Sequence, residues 1–139
     1  MVVYSDENTG MIAELSNNKV SMFTSLKADT HEEKAKLFNS MNAPEKRVGD
    51  MVGKVIKIKD VFAEMIDLTN PETGEISTAP RVVIIDDKGV TYQAVSVGIF
   101  SALKKMFNLF GMPTYEPAIP VEIRQINKGQ NRILTFDIK

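Results

Sequence analysis

Residues 80–111 read PRVVIIDDKGVTYQAVSVGIFSALKKMFNLFG, and this run decides the fold. Val82 to Ile85 form a β-branched block, and Asp86-Asp87-Lys88-Gly89 supplies a Gly-ended turn. Val90 to Val95 returns as a second strand, mixing β-branched and aromatic residues with polar ones. From Ser96 the apolar period changes from two to about 3.6. Ile99, Leu103, Met106, Phe107 and Phe110 then fall on one helical stripe, and Ser101, Lys104, Lys105 and Asn108 on the opposite one. Gly111 suits the left-handed stop of that helix and Pro113 prevents its continuation. Ile99, Leu103, Met106 and Phe110 are expected to face a core.

Upstream, residues 1–28 have weak periodicity; Asn17-Asn18 marks a turn between Met11–Leu15 and Val20–Phe23, a small hairpin or extended arm. Thr30, followed three residues on by Glu33, is a capping box. The spacing predicts a helix to about Asn42 that buries Ala35, Leu37, Phe38 and Met41 and ends before Pro44. From Asp50 the texture is β. Ile56 and Ile58 share a face while Lys57 and Lys59 point the other way, and past Asp60 the apolar phase slips, which predicts a β-bulge in a long, bent strand. Asn70-Pro71-Glu72-Thr73-Gly74 is a loop, and Ile76 to Ile85 the next strand, with Pro80 calling for an edge or a bulge. Gly111 to Pro120 is an irregular connection with three prolines. Val121 to Ile126 and Ile133 to Ile138 are the last strands, joined by a loop over Asn127–Asn131.

From Gly49 onward the order is β-β-β-α-β-β, the order of the OB-fold, a five-stranded Greek-key barrel plugged at one end by its helix. An SH3-like barrel places no three-turn helix there, and a ferredoxin-like fold needs two crossover helices. The organisation expected is a mainly β protein: an N-terminal arm and short helix over residues 1–48, and the OB-fold over 49–139.

The bulk composition narrows the function. The 139 residues carry no cysteine, so disulfides and thiolate chemistry are absent, and no apolar run is long enough to span a membrane. MVVYSDENTG lacks the layout of a secretory signal, and a cytoplasmic location is the expectation. The net charge of −1 gives no global attraction to nucleic acid, but the charge is sorted along the chain. Arg47 to Lys59 holds four basic residues against one acidic; Asp60 to Pro80 holds five acidic and no basic; Arg81 to the end holds eight basic against five acidic.

KLFNSMN (Lys36–Asn42), KIKDVFAEMIDLTNPETGE (Lys57–Glu75), the Pro80–Gly111 run and the closing INKGQNRILTFDI together resemble single-stranded DNA-binding proteins from phages of Gram-positive bacteria and related conjugative elements. The resemblance covers roughly residues 36–139 and rests on order and spacing. It implies an OB-fold without catalytic activity or cofactor, binding single-stranded DNA with little sequence preference, in replication or in transfer of a mobile element. The first 35 residues have no counterpart in it, and self-association through the N-terminal arm is one use they would have.

An OB-fold holds single strands with a basic groove for phosphates and aromatic faces for bases. On that logic the candidate contacts are Lys57 and Lys59 on the first strand, Arg81 on the second, Lys88 in the turn, Tyr92 on the third, Arg124 on the fourth, and Lys128 and Arg132 at the last hairpin, with Phe62 and Tyr115 as further aromatics. Tyr92, beside Thr91, Gln93 and Ser96, reads as the leading stacking platform. The competing readings are a tyrosine at the rim of the core for Tyr92, barrel core for Phe62, and packing on the helix end for Tyr115. Lys104 and Lys105 read as solubilising. Enzyme signals are thin. His31 sits in a first helical turn, Asp86-Asp87 is explained by its turn, and Asp60 and Glu64 lack a base, nucleophile or third ligand. No metal site is expected. Two other readings stay open: an OB-fold adaptor making protein contacts, and an RNA-binding OB-fold.

Overall fold

The computed structural model describes residues 22–26 and 28–139. Its elements are β1 (Met22–Thr24), α1 (His31–Asn42), β2 (Lys46–Arg47), a 3-10 turn (Val48–Met51), β3 (Val55–Thr69), β4 (Ile76–Asp86), β5 (Thr91–Val95), α2 (Val97–Phe110), β6 (Ile119–Lys128) and β7 (Asn131–Ile138). The sheet runs β2-β5-β4-β3-β6-β7, with β1 added to β3. β3 to β7, with α2 between β5 and β6, reproduce the expected β-β-β-α-β-β order, and the curled sheet is an OB-fold. The Met11–Leu15 half of the expected N-terminal hairpin lies outside the described residues.

The spine is β3. One edge pairs with β4 along most of its length; the other pairs first with β6, over Val55 to Ile58, and then with β1, over Phe62 to Glu64. The register against β4 shifts between Ile58 and Asp60, so Lys59 is the extra residue of the bulge that the phase slip predicted. Ile56 and Ile58 before the bulge, and Val61 and Ala63 after it, all reach the barrel interior. The step from Ile58 to Val61 is odd, so in an unbulged strand of this sequence one of these pairs would turn to the opposite face. Pro80 sits in β4 opposite Met65, and its carbonyl accepts from Ser96 N–H where β5 has ended. Its missing donor therefore faces a position with no ladder partner.

Two apolar layers flank the β3–β4 pair. Inside the barrel, Val48, Ile56, Ile58, Val61, Val82, Ile84, Val121 and Ile123 pack with Ile99, Leu103, Met106 and Phe107 of α2. Each fully buried aliphatic side chain is worth about 1.5–3 kcal/mol of transfer free energy. On the outer face, Phe62, Val83 and Ile85 are buried with Leu37 of α1, and Leu26, Ala28 and Met41 pack around them. The capping box that starts α1 is present, with Glu33 N–H donating to Thr30 Oγ1 at 3.1 Å and Thr30 N–H to Glu33 Oε1 at 3.0 Å. Phe38, expected beneath this helix, is instead 59% exposed, because Leu37 and Ser40 are the residues that face inward.

Ser96 caps α2 by accepting Ile99 N–H at 3.1 Å, and Gly111 ends it at φ 85°. Gly98 decides where the helix lies. A Cβ there would stand 2.0 Å from the Leu134 carbonyl oxygen, so only glycine lets the first turn of α2 rest on the β7 backbone. This contact covers the side of the barrel where β7 pairs with β6 alone among the described residues. Phe110, expected at the barrel bottom, is 52% exposed. The β6–β7 hairpin is longer than expected: Lys128 pairs with Asn131, leaving a two-residue turn at Gly129-Gln130.

Candidate nucleic-acid interface

Phe62, Tyr92 and Tyr115 are 0%, 5% and 7% exposed, so the rings expected to stack on bases are core residues in this structure. Tyr92 faces inward because β5 alternates, with Thr91 and Gln93 pointing to the other side of the sheet. Its hydroxyl donates to Asp86 Oδ2 at 3.0 Å, while Asp86 Oδ1 accepts Lys88 N–H and Val90 N–H, both at 2.9 Å. One carboxylate thus shapes the turn and satisfies the phenol. Burial, reinforced by the bond to Asp86, pushes the Tyr92 hydroxyl up to about 12. The Lys46 ammonium lies 6.0 Å from the centre of the same ring. Tyr115 donates its hydroxyl to the Gly111 carbonyl at the end of α2, and burial pushes it too up to about 12.

The expected cations separate into engaged and free groups. Arg81 is engaged: Nη1 donates to Glu64 Oε2 at 3.0 Å, and Nη2 donates to the Met41 carbonyl at 2.7 Å and to Gln93 Oε1 at 3.3 Å. It pins the C-terminal end of α1 to the outer face of the sheet. Arg124 pairs with Asp137 at 2.6 Å. Lys59 is half-buried at the bulge, and its carbonyl accepts Tyr115 N–H at 2.9 Å. Lys57, opposite Pro120, and Lys88, in the β4–β5 turn, are exposed on separate parts of the surface. Asp60 and Glu64 are likewise accounted for. Asp60 accepts the Ser25 hydroxyl at 2.9 Å and the Thr114 hydroxyl, and Glu64 holds Arg81. Among the described residues no three His, Asp or Glu side chains gather as a metal site would require.

Lys128 and Arg132 are brought together. Both line a groove of about 900 Å³ between α2 and the β6–β7 hairpin, and Lys105 of α2 lines it as well. None of these three cations takes part in an ion pair among the described residues, and the groove's one carboxylate, Asp137, is held by Arg124. The walls are apolar: Val95, Val97, Leu109, Phe110, Ile126 and Ile138 all line the groove and are all at least 40% exposed. Phe110 and Phe38 are the only aromatic side chains more than half exposed among the described residues, and Phe110 stands in this groove.

The sequence reading missed Lys105 and Phe110 because it divided α2 into a core stripe and a solvent stripe. The helix has a third side. Gly98, Ser101, Ala102, Lys105 and Leu109 follow a helical repeat of three to four residues and all border the groove. The signal in the sequence was Gly98, a helix-weakening residue in a first turn, which marks a close approach of another backbone. The resulting surface carries positive charge for a polyanion and flat or aliphatic side chains for uncharged rings.

The description phage single-stranded DNA-binding protein belongs to a family model of the phi29 type that matches residues 16–139. No curated protein and no solved structure matches the chain. Among the described residues no helix is long and apolar enough to cross a membrane.

Proposed function

The chain belongs to the phage single-stranded DNA-binding protein family, and on that premise we propose that it holds its strand in the groove between α2 and the β6–β7 hairpin. Lys105, Lys128 and Arg132 take phosphates, and Phe110, with the aliphatic wall around it, takes bases. One observation carries this reading: three cations without acidic partners converge with the one exposed aromatic of the barrel. Stacking and phosphate neutralisation are both indifferent to base identity, so binding is without sequence preference.

The role proposed is protection of single strands during replication of phage DNA. Transfer of a mobile element would use the same contact at a different moment. The work proposed is binding rather than turnover, in keeping with the single-stranded DNA-binding family. Association through the N-terminal segment is a separate proposal. A variant lacking residues 1–21 that kept its wild-type oligomeric state would dismiss it.

Fluorescence anisotropy with oligo-dT, oligo-U of equal length and duplex DNA tests the main reading. Tightest binding is expected to oligo-dT, weakening as salt rises. Equal or tighter binding to duplex would reject it, and preference for oligo-U would reassign the chain to RNA.

A further inference from the structure

Beyond Met65 and Pro80 the β3–β4 hairpin leaves the barrel. Four further rungs, Ile66↔Ala79 to Thr69↔Ile76, continue as a ribbon that no other described strand flanks, and Asn70–Glu75 close its tip. A two-stranded ribbon by itself is marginal in water, and this one has no third strand among the described residues, so it calls for a surface to rest on. This ribbon exposes an aliphatic residue on each face, Leu68 at 42% and Ile76 at 69%. Its charges are Asp67, Glu72 and Glu75, with no basic residue from Asp60 to Pro80. A polyanion would be repelled here, which separates the ribbon from the DNA groove.

The opposite end of the same strand is its complement. Val52 and Val55 are 40% and 45% exposed, and Lys54 and Lys57 are exposed beside them. The neighbouring carboxylate, Glu122, is already taken by Lys139 at 2.9 Å. Arg47 to Lys59 has four basic residues against Asp50 alone. The two patches stand at the ends of one strand of 15 residues, on the order of 45 Å apart at the usual rise. They cannot meet within one molecule.

We propose that the acidic ribbon of one copy docks on the Val52–Lys57 end of β3 in a second copy, so that protomers join head to tail along a strand. Two unlike patches at opposite ends make a heterologous contact, which propagates as an open chain rather than closing as a pair. Opposite charge fixes the direction, and the aliphatic side chains on each side exclude water from its centre. The inference rests on the chain's being a strand-binding protein, since the strand aligns the copies.

The test compares a dT oligomer long enough for one protomer with poly-dT. Wild type should bind poly-dT at least 10-fold more tightly per site than the short oligomer. E72K/E75K should lose this difference without binding the short oligomer less tightly, and K54E/K57E should lose it too. An equimolar mixture of the two variants should regain it, because the basic ribbon of the first fits the acidic patch of the second and the reverse pairing is also restored. Circular-dichroism melts verify that both variants are folded. Cooperativity that survives in either variant, or a mixture that does not regain it, overturns the proposal. Absence of binding to the short oligomer by wild type would instead refute the DNA reading itself.

Discussion

Replacing Lys105, Lys128 and Arg132 together by Ala should change the salt dependence of binding more than any other triple substitution on the surface. On single strands each phosphate neutralised contributes about 0.7 to the slope of log K against log salt, so removing three lowers its magnitude by about 2. Wild type and variant should then converge towards 1 M salt and differ by roughly 100-fold at 0.1 M, or about fivefold per cation. All three side chains line one groove and none is tied to a carboxylate, so their removal leaves no buried charge behind. The fold should melt within a few degrees of wild type. The assay is anisotropy with a single-site dT oligomer at five or more salt concentrations. The comparison protein carries Ala at Lys57, Lys59 and Lys88, and its slope should stay within about 0.7 of wild type. An unchanged slope in the groove variant, or a fall of about 2 in the comparison protein, would move the phosphate path to the outer face of β3 and β4.

Other substitutions separate stacking from packing. Phe110→Ala should weaken binding by about 1–3 kcal/mol with the melting temperature nearly unchanged, whereas Phe62→Ala should cost about 3–5 kcal/mol of stability in a denaturant titration. Gly98→Ala should destabilise by about 1–3 kcal/mol or more, because the gain in helix propensity does not offset a methyl placed 2.0 Å from the Leu134 oxygen; a thermal melt reads this directly. Arg81→Ala should loosen α1, costing about 1–3 kcal/mol and speeding proteolysis near Met41, while affinity for dT changes by about twofold or less. Large loss of affinity with stability intact would return Arg81 to the interface. Tyr92 and Tyr115 ionise near 12 in the folded chain against 10 when unfolded, so folding favours their protonated forms. The contribution is complete below pH 10 and is lost as pH rises towards 12, which absorbance at 295 nm and a pH series of melts should both follow.

The order of the strands was legible because hydrophobic period and turn chemistry agreed. Val82–Ile85 followed by a Gly-ended turn, and the change of period at Ser96, place β4, β5 and α2 within a residue or two. The bulge was legible for the same reason, since an extra residue leaves a phase error that can be counted. Which side of a strand meets solvent was not. Tyr92 lies among polar neighbours, yet those neighbours serve the outer face, and Asp86 supplies the partner that lets a phenol enter the core. Arg81 looked like a free cation because its partners, Glu64, Gln93 and the Met41 carbonyl, are set by tertiary packing. The groove arises between elements distant in sequence, and no local pattern joins Lys105 to Arg132.

The extra residue at Lys59 gives β3 two independent phases. Upstream of it the strand keeps time with β6, and downstream with β1 and β4. Deletion of Lys59 would shorten the step from Ile58 to Val61 from three residues to two, so the ladder would close without a bulge. Val61 would stay inward and Phe62 outward, and the local bend would be lost. Beyond the barrel, a matched pair of two-residue insertions in Ile66–Thr69 and Ile76–Ala79 lengthens the ribbon by about 7 Å and leaves every core side chain on its own face. The bulge residue therefore sets the bend of β3, while the reach of the ribbon is adjustable in even steps. A series of ribbon lengths, selected from a library on poly-dT, would act as a ruler for the spacing between successive protomers.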